Sequence, residues 1–212
     1  MAKREDGRET RKRLLKAACE VFARKGFGNA RIADICQSAG ANVASVNYHF
    51  GDKANLYAEA WRHALEGLEE LSVEDADCDS PEDSLRHFIR ALLQHFSAKG
   101  AAAHFSRLYL MELVQPTGLI QDAWKEMIEP RRRRLHRIIR DVMGSGGDEH
   151  SVLFCELSII NQCRSMVTIQ EKDLQYILGE PLSPRLIEKL ARHIADFSLA
   201  GIQAVAKRRP KK

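Results

Sequence analysis

Residues 42–53 read NVASVNYHFGDK, and no single environment suits them. A buried helix would reject Asn47, His49 and Lys53, whereas a helix lying loose in water would reject Val46 and Phe50. At helical spacing the two sets fall on opposite faces. Val46 and Phe50, four apart, point toward protein, while Val43, Ala44, Asn47 and Tyr48 are left facing out. Gly40, just upstream, supplies a position that tolerates positive φ, and Asn42 is placed to cap the helix that follows.

Upstream, TRKRLLKAACEVFARKG repeats apolar residues at helical intervals through Leu14, Leu15, Ala18, Val21 and Phe22. Gly26 is expected to end that helix in a left-handed cap. ARIADICQSAG is a short second helix with Ile32, Ile35, Cys36 and Ala39 on one face. Three short helices, the last two joined by AlaGlyAlaAsn, form the pattern of a helix-turn-helix. Ala39 and Ala44 allow its helices to lie close.

Downstream the helical period continues. A fourth helix is predicted from Asp52 through LYAEAWRHALEGLEEL, followed by the acidic, turn-rich connector VEDADCDSPED. Ser80-Pro81-Glu82-Asp83 then carries the signature of a helix start. Further helices are expected over SLRHFIRALLQHF, AHFSRLYLMELV, LIQDAWKEMIEPRRRRLHRIIRDVMG with a kink at Pro130, Glu149 to about Gln170, and Ser183 to Ala206. The stretch holding Gly179 and Pro181 reads as a connector. No strand signal occurs, so the fold class is all-α with about nine helices. The domains are a helix-turn-helix head over 1–52, a larger helical domain over 53–206 and a basic tail over 207–212.

Charge divides along the same line. Residues 1–50 hold ten Lys or Arg against five Asp or Glu, residues 51–206 hold eighteen against twenty-four, and KRRPKK adds five positives. A basic head on an acidic body suits a polyanionic partner, although a solvated basic helix has the same composition. The five cysteines are odd in number and lack CxxC spacing, so neither a disulfide framework nor a zinc knuckle is expected. The eight histidines are scattered without an HExxH. No GxSxG, P-loop or dinucleotide fingerprint occurs in a suitable context. The expectation is therefore no catalytic residues, no metal and no cofactor. No apolar run of eighteen residues and no secretory leader are evident, which makes the cytoplasm the expected location.

The outward face of residues 42–53 has the chemistry of a DNA reader. Asn pairs with the edge of adenine, and Val or Ala can touch a thymine methyl. Tyr48, His49 and Lys53 suit phosphate oxygens, and free N–H groups after Asn42 favour a phosphate. Taken together, AACEVFARKGF, ADI and AGANVASVNYHFGDKANLY resemble the DNA-binding domain of the TetR/AcrR family of bacterial transcriptional regulators. LMELVQPTGLIQDAWKEMIEPRRRRLHRIIRDVMG and SIINQCRSMVTIQ resemble the effector domain of its CerR- or CecR-like subgroup. Family members usually carry Val where this chain has Ala41 and Tyr where it has Asn47. They often open the second helix with Ser or Thr where Ala30 and Arg31 stand. Asn29 is then the expected cap, and Arg31 is free to reach a phosphate. The expected DNA-binding set is Arg31, Asn42, Val43, Ala44, Ser45, Asn47, Tyr48, His49 and Lys53.

An apolar stripe runs through Leu186, Leu190, Ile194, Phe197, Gly201 and Val205, and a second through Leu153, Leu157, Ile160 and Val167. Burial within one chain would also produce such stripes. In the family these helices form a four-helix dimer interface, which assigns Leu153, Leu157, Ile160, Leu190, Ile194, Phe197 and Gly201 to a homodimer contact. The resemblance also implies a small-molecule cavity, for which the candidates are Trp61, Leu65, Phe96, Phe105, Tyr109, Met111, Trp124, Met127, Asn161, Gln162, Arg164 and Met166. Arg164 could pair with an anionic ligand, or with Glu112 or Glu156. The run Arg131–Arg134 reads as a solvated helix face. The function expected is a sequence-specific regulator bound to an inverted repeat of double-stranded DNA, a repressor by family default, released by a small ligand. The alternative is a helical small-molecule binder or enzyme that does not use DNA.

Overall fold

The computed structural model describes residues 2–66 and 78–207. Among them every regular element is helical. By contact pattern the chain divides into two compact units, Met1–Glu70 with Lys99–Ile128, and Leu71–Ala98 with Glu129–Lys212. The end of the fourth helix, most of the acidic connector and all but the first residue of the KRRPKK tail lie outside the described residues.

The first unit contains α1 (Ala2–Asn29), α2 (Ile32–Ala39), α3 (Val43–Phe50) and α4 (Lys53–Glu66), then a 3-10 turn (Gly100–Ala103), α6 (His104–Val114) and α7 (Gln121–Ala123). Its core is built from Leu14, Ala18 and Phe22 of α1, Ile35 of α2, Val46 of α3, Leu56, Tyr57 and Trp61 of α4, and Phe105 and Leu108 of α6. Gly26 interrupts α1 with φ 70° and ψ 171°. This differs from the expected left-handed cap: φ is positive, but the residue is extended, a conformation that only glycine adopts readily. Asp52 does not join α4. It caps it, its Oδ1 accepting the Asn55 N–H at 2.8 Å.

The second unit packs α5 (Pro81–Phe96), α8 (Glu129–Met143), α9 (Glu149–Thr168) and α11 (Pro184–Ala206) around Leu85, Ile89, Leu93, Leu135, Ile139, Ile159, Cys163, Ile194 and Ile202. Side chains of Ser80, Asp148 and Ser183 accept from the N–H groups of Asp83, Ser151 and Leu186, so three helix starts are capped as their sequences require. A Cβ on Gly146 would run into the Ala206 carbonyl, so glycine is required where the α8–α9 turn meets the end of α11. The cysteines are free, and four are buried. Burial raises the Cys19 and Cys163 thiols to about 12, which leaves them unreactive.

The helix expected around Pro130 is not uniform: α7 runs through a π turn (Trp124–Ile128) directly into α8, and Pro130 is the second residue after that turn, so the widened turn stands where the proline N–H is missing. Two other sequence expectations need correction. The supposed connector contains α10 (Glu171–Leu178), closed by Gly179 in the left-handed conformation and anchored by buried Leu174. The run Arg131–Arg134 is more than a solvated face. Arg132 grips the buried carboxylate of Glu156 at 2.6 and 2.9 Å and also reaches Glu129, and Arg133 pairs with Glu129. His136 Nε2 lies 2.7 Å from the same carboxylate. Burial alone would raise the Glu156 pKa, but these two partners hold it below its ordinary value.

His95 gives the second unit a pH dependence. Burial, helped by Arg131, lowers its pKa from 6.5 to about 4. The folded state favours neutral imidazole, so its contribution is complete above pH 6.5 and drains away as pH falls toward 4. Urea unfolding at pH 7 and pH 4.5 is expected to show a loss of roughly 2–3 kcal/mol from this residue. His95→Gln should remove most of that pH-dependent difference.

Candidate nucleic-acid interface

The α2–α3 pair is shaped by a few short-range constraints. Gly40 sits in the left-handed region at φ 59°, and its N–H and that of Ala41 return to the last carbonyls of α2. Asn42 Oδ1 accepts the Ser45 N–H at 2.9 Å and the Ser45 hydroxyl at 3.0 Å. Ile35, Cys36 and Ala39 of α2, with Val46 and Phe50 of α3, are buried. Lys25 holds Asp34 at 2.7 Å, tying α1 to α2, and that hydrogen bond lowers the Asp34 pKa. The N-cap position of α2 is Arg31, with no side-chain bond, so Asn29 does not cap it. Asn29 lies within the last residues of α1, where its side chain cannot serve the next helix.

The face opposite Val46 and Phe50 is bare. Val43 is 50% and Tyr48 84% exposed, and Ala44, Asn47 and Arg31 are exposed as well. The remaining residues of the expected set are partly committed. Ser45 is half-buried and occupied by the cap with Asn42. His49 is half-buried, with its ring against Tyr48 at 4.9 Å and its Cε1 beside Gly7 of α1. Lys53 sets its ammonium 4.5 Å from the Phe27 ring centroid. Arg13, which sequence reasoning passed over, has Nη1 next to Gly40 and so overlies the turn. Nothing in the spacing of α1 singles it out, because the contact depends on the tertiary approach of α1.

Of the expected ligand residues, Trp61, Leu65, Phe105, Tyr109, Met111, Trp124 and Met127 belong to the first unit, and Phe96, Asn161, Gln162, Arg164 and Met166 to the second. Rings in the first unit make a continuous series, Trp61 to Phe105 at 5.3 Å, Phe105 to Tyr109 at 5.8 Å, and Tyr109 to Trp124 at 5.9 Å. In the second unit the amides are occupied locally: Asn161 donates to the Leu157 carbonyl, Gln162 to that of Ser158, and Arg164 reaches Asn161 at 3.3 Å. Both carboxylates expected for Arg164 have other partners. Glu156 is taken by Arg132 and His136, and Glu112 by Tyr57 and Thr117. A groove of about 270 Å³ on the second unit is lined by Arg86, Arg90, Ala191, Arg192, Ala195 and Asp196, none of them an expected ligand residue. Among the described residues no group of three or more His, Cys, Asp or Glu could hold a metal ion.

Of the expected dimer residues, Ile194 is buried in the core of its own unit and has no surface to offer a partner. Leu153, Ile160 and Leu190 are half-buried, and Gly201 is exposed. Leu157 and Phe197 are 60% and 63% exposed, and Phe154, missed by the spacing argument, is 64% exposed. No single helix among the described residues is long and apolar enough to cross a membrane. Only α9 and α10 taken together, bent by 114°, have the length and composition.

Comparison with known proteins accounts for both parts of the chain. Residues 14–60 match the model for bacterial regulatory proteins of the tetR family. Residues 81–202, more than half of the chain, match the C-terminal domain of the HTH-type transcriptional dual regulator CecR. The chain belongs to the TetR family, with a CecR-type C-terminal domain. The transcriptional regulator AcrR of Shigella flexneri is 28% identical over 111 residues, 52% of this chain and 50% of that protein. CecR of the same organism is 24% identical over 172 residues, 74% of each. The match to AcrR thus spans about half of that relative's length. Among solved structures, the TetR family regulator PfmR from Thermus thermophilus aligns with TM-score 0.64 at 22% identity, covering 89% of this chain and 95% of that one. FadR from Bacillus subtilis, solved in complex with stearoyl-CoA, aligns with TM-score 0.65 at 15% identity over 89% and 97%. Both likenesses are of fold.

The pair Tyr57 and Glu112 is the part of the first unit that sequence reasoning missed. The buried Tyr57 hydroxyl donates to Glu112 Oε1 at 2.8 Å, and Thr117 adds its hydroxyl at 2.6 Å and its N–H at 3.0 Å. Burial raises the Tyr57 pKa, and Glu112 raises it further, so the phenol stays a donor. Tyr57→Phe removes one donor from a buried carboxylate and is expected to cost about 1–3 kcal/mol in urea unfolding of the full chain. Surface Tyr48→Phe serves as the neutral control.

Proposed function

We propose that the chain is a homodimeric, sequence-specific DNA-binding transcriptional regulator, a repressor by family habit, whose hold on an inverted repeat is released by a small molecule. The observation that carries this reading is the bare face of α3 beside a fully packed one. Burial of Val46 and Phe50 fixes the helix on its own domain, and Val43, Ala44, Asn47 and Tyr48 are left exposed on the other side, where packing gives them no task. A helical binder or enzyme indifferent to DNA gives that face no task.

On this reading Asn47 pairs with an adenine edge, and Val43 and Ala44 touch thymine methyls. Tyr48, His49, Lys53 and Arg31, joined by Arg13 over the turn, hold phosphates and set the register. Asn42 and Ser45 act through the backbone they cap: the N–H groups left free at the start of α3 favour a phosphate. The boundary at residue 52 separates this head from the domain that binds ligand and partner, and work on DNA puts the protein in the cytoplasm.

A homodimer is supported by Phe154 and Leu157 on α9 and Phe197 on α11, three large apolar side chains left in water. Gly201 supports it too. A Cβ there would meet nothing within 4 Å in the monomer, so the missing side chain serves an approach from outside. The largely buried ring series Trp61–Phe105–Tyr109–Trp124 is the apolar region of the first unit among which an effector would have to open its cavity, and the same fold in FadR is seen with stearoyl-CoA. A ligand that prefers one spacing of the two heads shifts the dimer toward that spacing and off its operator.

Selection of duplexes from a random pool at about 150 mM salt, where non-specific binding is weak, should enrich an inverted repeat. Tyr48→Ala combined with Lys53→Ala should lose that binding while helical content is kept. If the folded wild type enriches nothing, the proposal fails. Independently, Phe197→Glu is expected to sediment as a monomer and to bind the selected duplex at least roughly tenfold more weakly, because only one half-site is then held at a time.

A further inference from the structure

The first helix is longer than its packing requires. From Gly7 onward the first buried residue is Leu14, yet the helix begins at Ala2, so residues 2–13 run on for about 18 Å at 1.5 Å per residue. That run does not head into solvent away from α3. Gly7 lies beside the His49 ring in the last turn of α3. Arg11, one turn on, stacks over Phe50 at 5.1 Å and pairs with Glu59 at 2.8 Å. The extension is thereby fixed along the C-terminal end of the helix whose outer face is bare.

Arg8 and Lys12 stand four apart on this extension, with Glu5 and Glu9 three residues before them in sequence. Arg8 and Lys12 are exposed, and neither makes an ion pair or side-chain hydrogen bond among the described residues. This differs from the cations around them. Arg11 is held by Glu59, Lys25 by Asp34, and Arg13 donates to Thr10. Lys16, further along, is on the α6 side, near enough to His104 to act on it electrostatically. Two exposed cations one turn apart, on a segment pinned beside α3, are stabilised by a polyanion lying along the same side of the head.

We infer that the N-terminal extension of α1 is a second DNA-contacting element, in which Arg8 and Lys12 hold phosphates bordering the half-site that α3 enters. The inference rests on the DNA-binding reading above. It adds a contact that carries no sequence information: these cations strengthen binding to any duplex long enough to pass under the extension, and the bases are read by α3 alone. Their exposure means that removing them disturbs no packing.

The test uses the full-length protein and the selected duplex, with the dissociation constant followed by fluorescence anisotropy across a salt series. Each lost phosphate contact lowers the slope of log K against log salt by about 0.9, so Arg8→Ala with Lys12→Ala should lower it by about 3.6 for a dimer. The motif enriched by the double variant should be the wild-type motif. Trimming the duplex to the inverted repeat alone should weaken the wild type and leave the variant nearly unchanged. A variant with the wild-type slope and the same response to trimming overturns this inference while leaving the regulator reading intact. A wild type that enriches no duplex overturns both. Tyr48→Ala with Lys53→Ala is the reference for loss of the α3 contact itself.

Discussion

Three helices of the first unit meet at Tyr57, and what the head can present depends on that meeting. The ring stands edge-on to Phe22 of α1 at 4.9 Å and leans on Phe27 at 5.1 Å, and its hydroxyl crosses to Glu112 of α6. Phe27 follows directly on the break at Gly26, and its other face carries the Lys53 ammonium. One side chain thus holds the end of α1, the start of α4 and the end of α6 together. A tyrosine is needed for this. The apolar ring satisfies two phenylalanines, and the phenol neutralises part of the cost of burying a carboxylate. Glu112, with Thr117 supplying the remaining donors, is in turn acceptable in a core only because three hydrogen bonds reach it.

The second unit solves a similar problem with charge. Glu156 lies between α8 and α9, where a lone carboxylate would be costly, and the guanidinium of Arg132 meets it with two nitrogens while His136 takes one of the same oxygens. Removing one partner of such a set is worse than never having had it, because the other charge stays buried. The four consecutive arginines are therefore unequal: Arg132 is structural, and Arg133 is a surface pair of little energetic weight.

How much of this was legible follows from the range of the forces involved. Helix starts at Ser80, Asp148 and Ser183, the cap at Asn42 and the turn at Gly40 depend on neighbours within four residues, and the sequence announces them. The inward and outward faces of α3 were legible too, because a period of 3.6 leaves Val46 and Phe50 one choice of side. Contacts such as Tyr57–Glu112, Arg132–Glu156 and Arg13 over Gly40 join residues 24 to 55 positions apart, and no local pattern marks them. The dimer stripe failed at Ile194 for a related reason. A stripe reports that one face is apolar, but the face of α11 turned toward its own unit is apolar as well, and only packing separates Ile194 from Phe197. In α10 the weak point was length: eight residues with one buried leucine give too few repeats for a period to stand out.

The composition of α3 also bears on how discrimination would be reached. On the DNA-binding reading, few of its exposed side chains read bases, since Asn47 offers one bidentate pair and Val43 and Ala44 offer methyl contacts. A good bidentate pair discriminates by about 1–3 kcal/mol, and a methyl contact by less. One head alone would then prefer its half-site only modestly over random DNA, against a large sequence-independent attraction from the cations of α1, α2 and α4. Two heads rigidly joined multiply their preferences, whereas additional phosphate contacts raise affinity for right and wrong sites alike. Selectivity in such a protein lies in the dimer and its head spacing more than in any one side chain of α3. On the same reading, a small change in spacing removes the multiplication while leaving each head intact, so a distant ligand would suffice to control a reader this sparse.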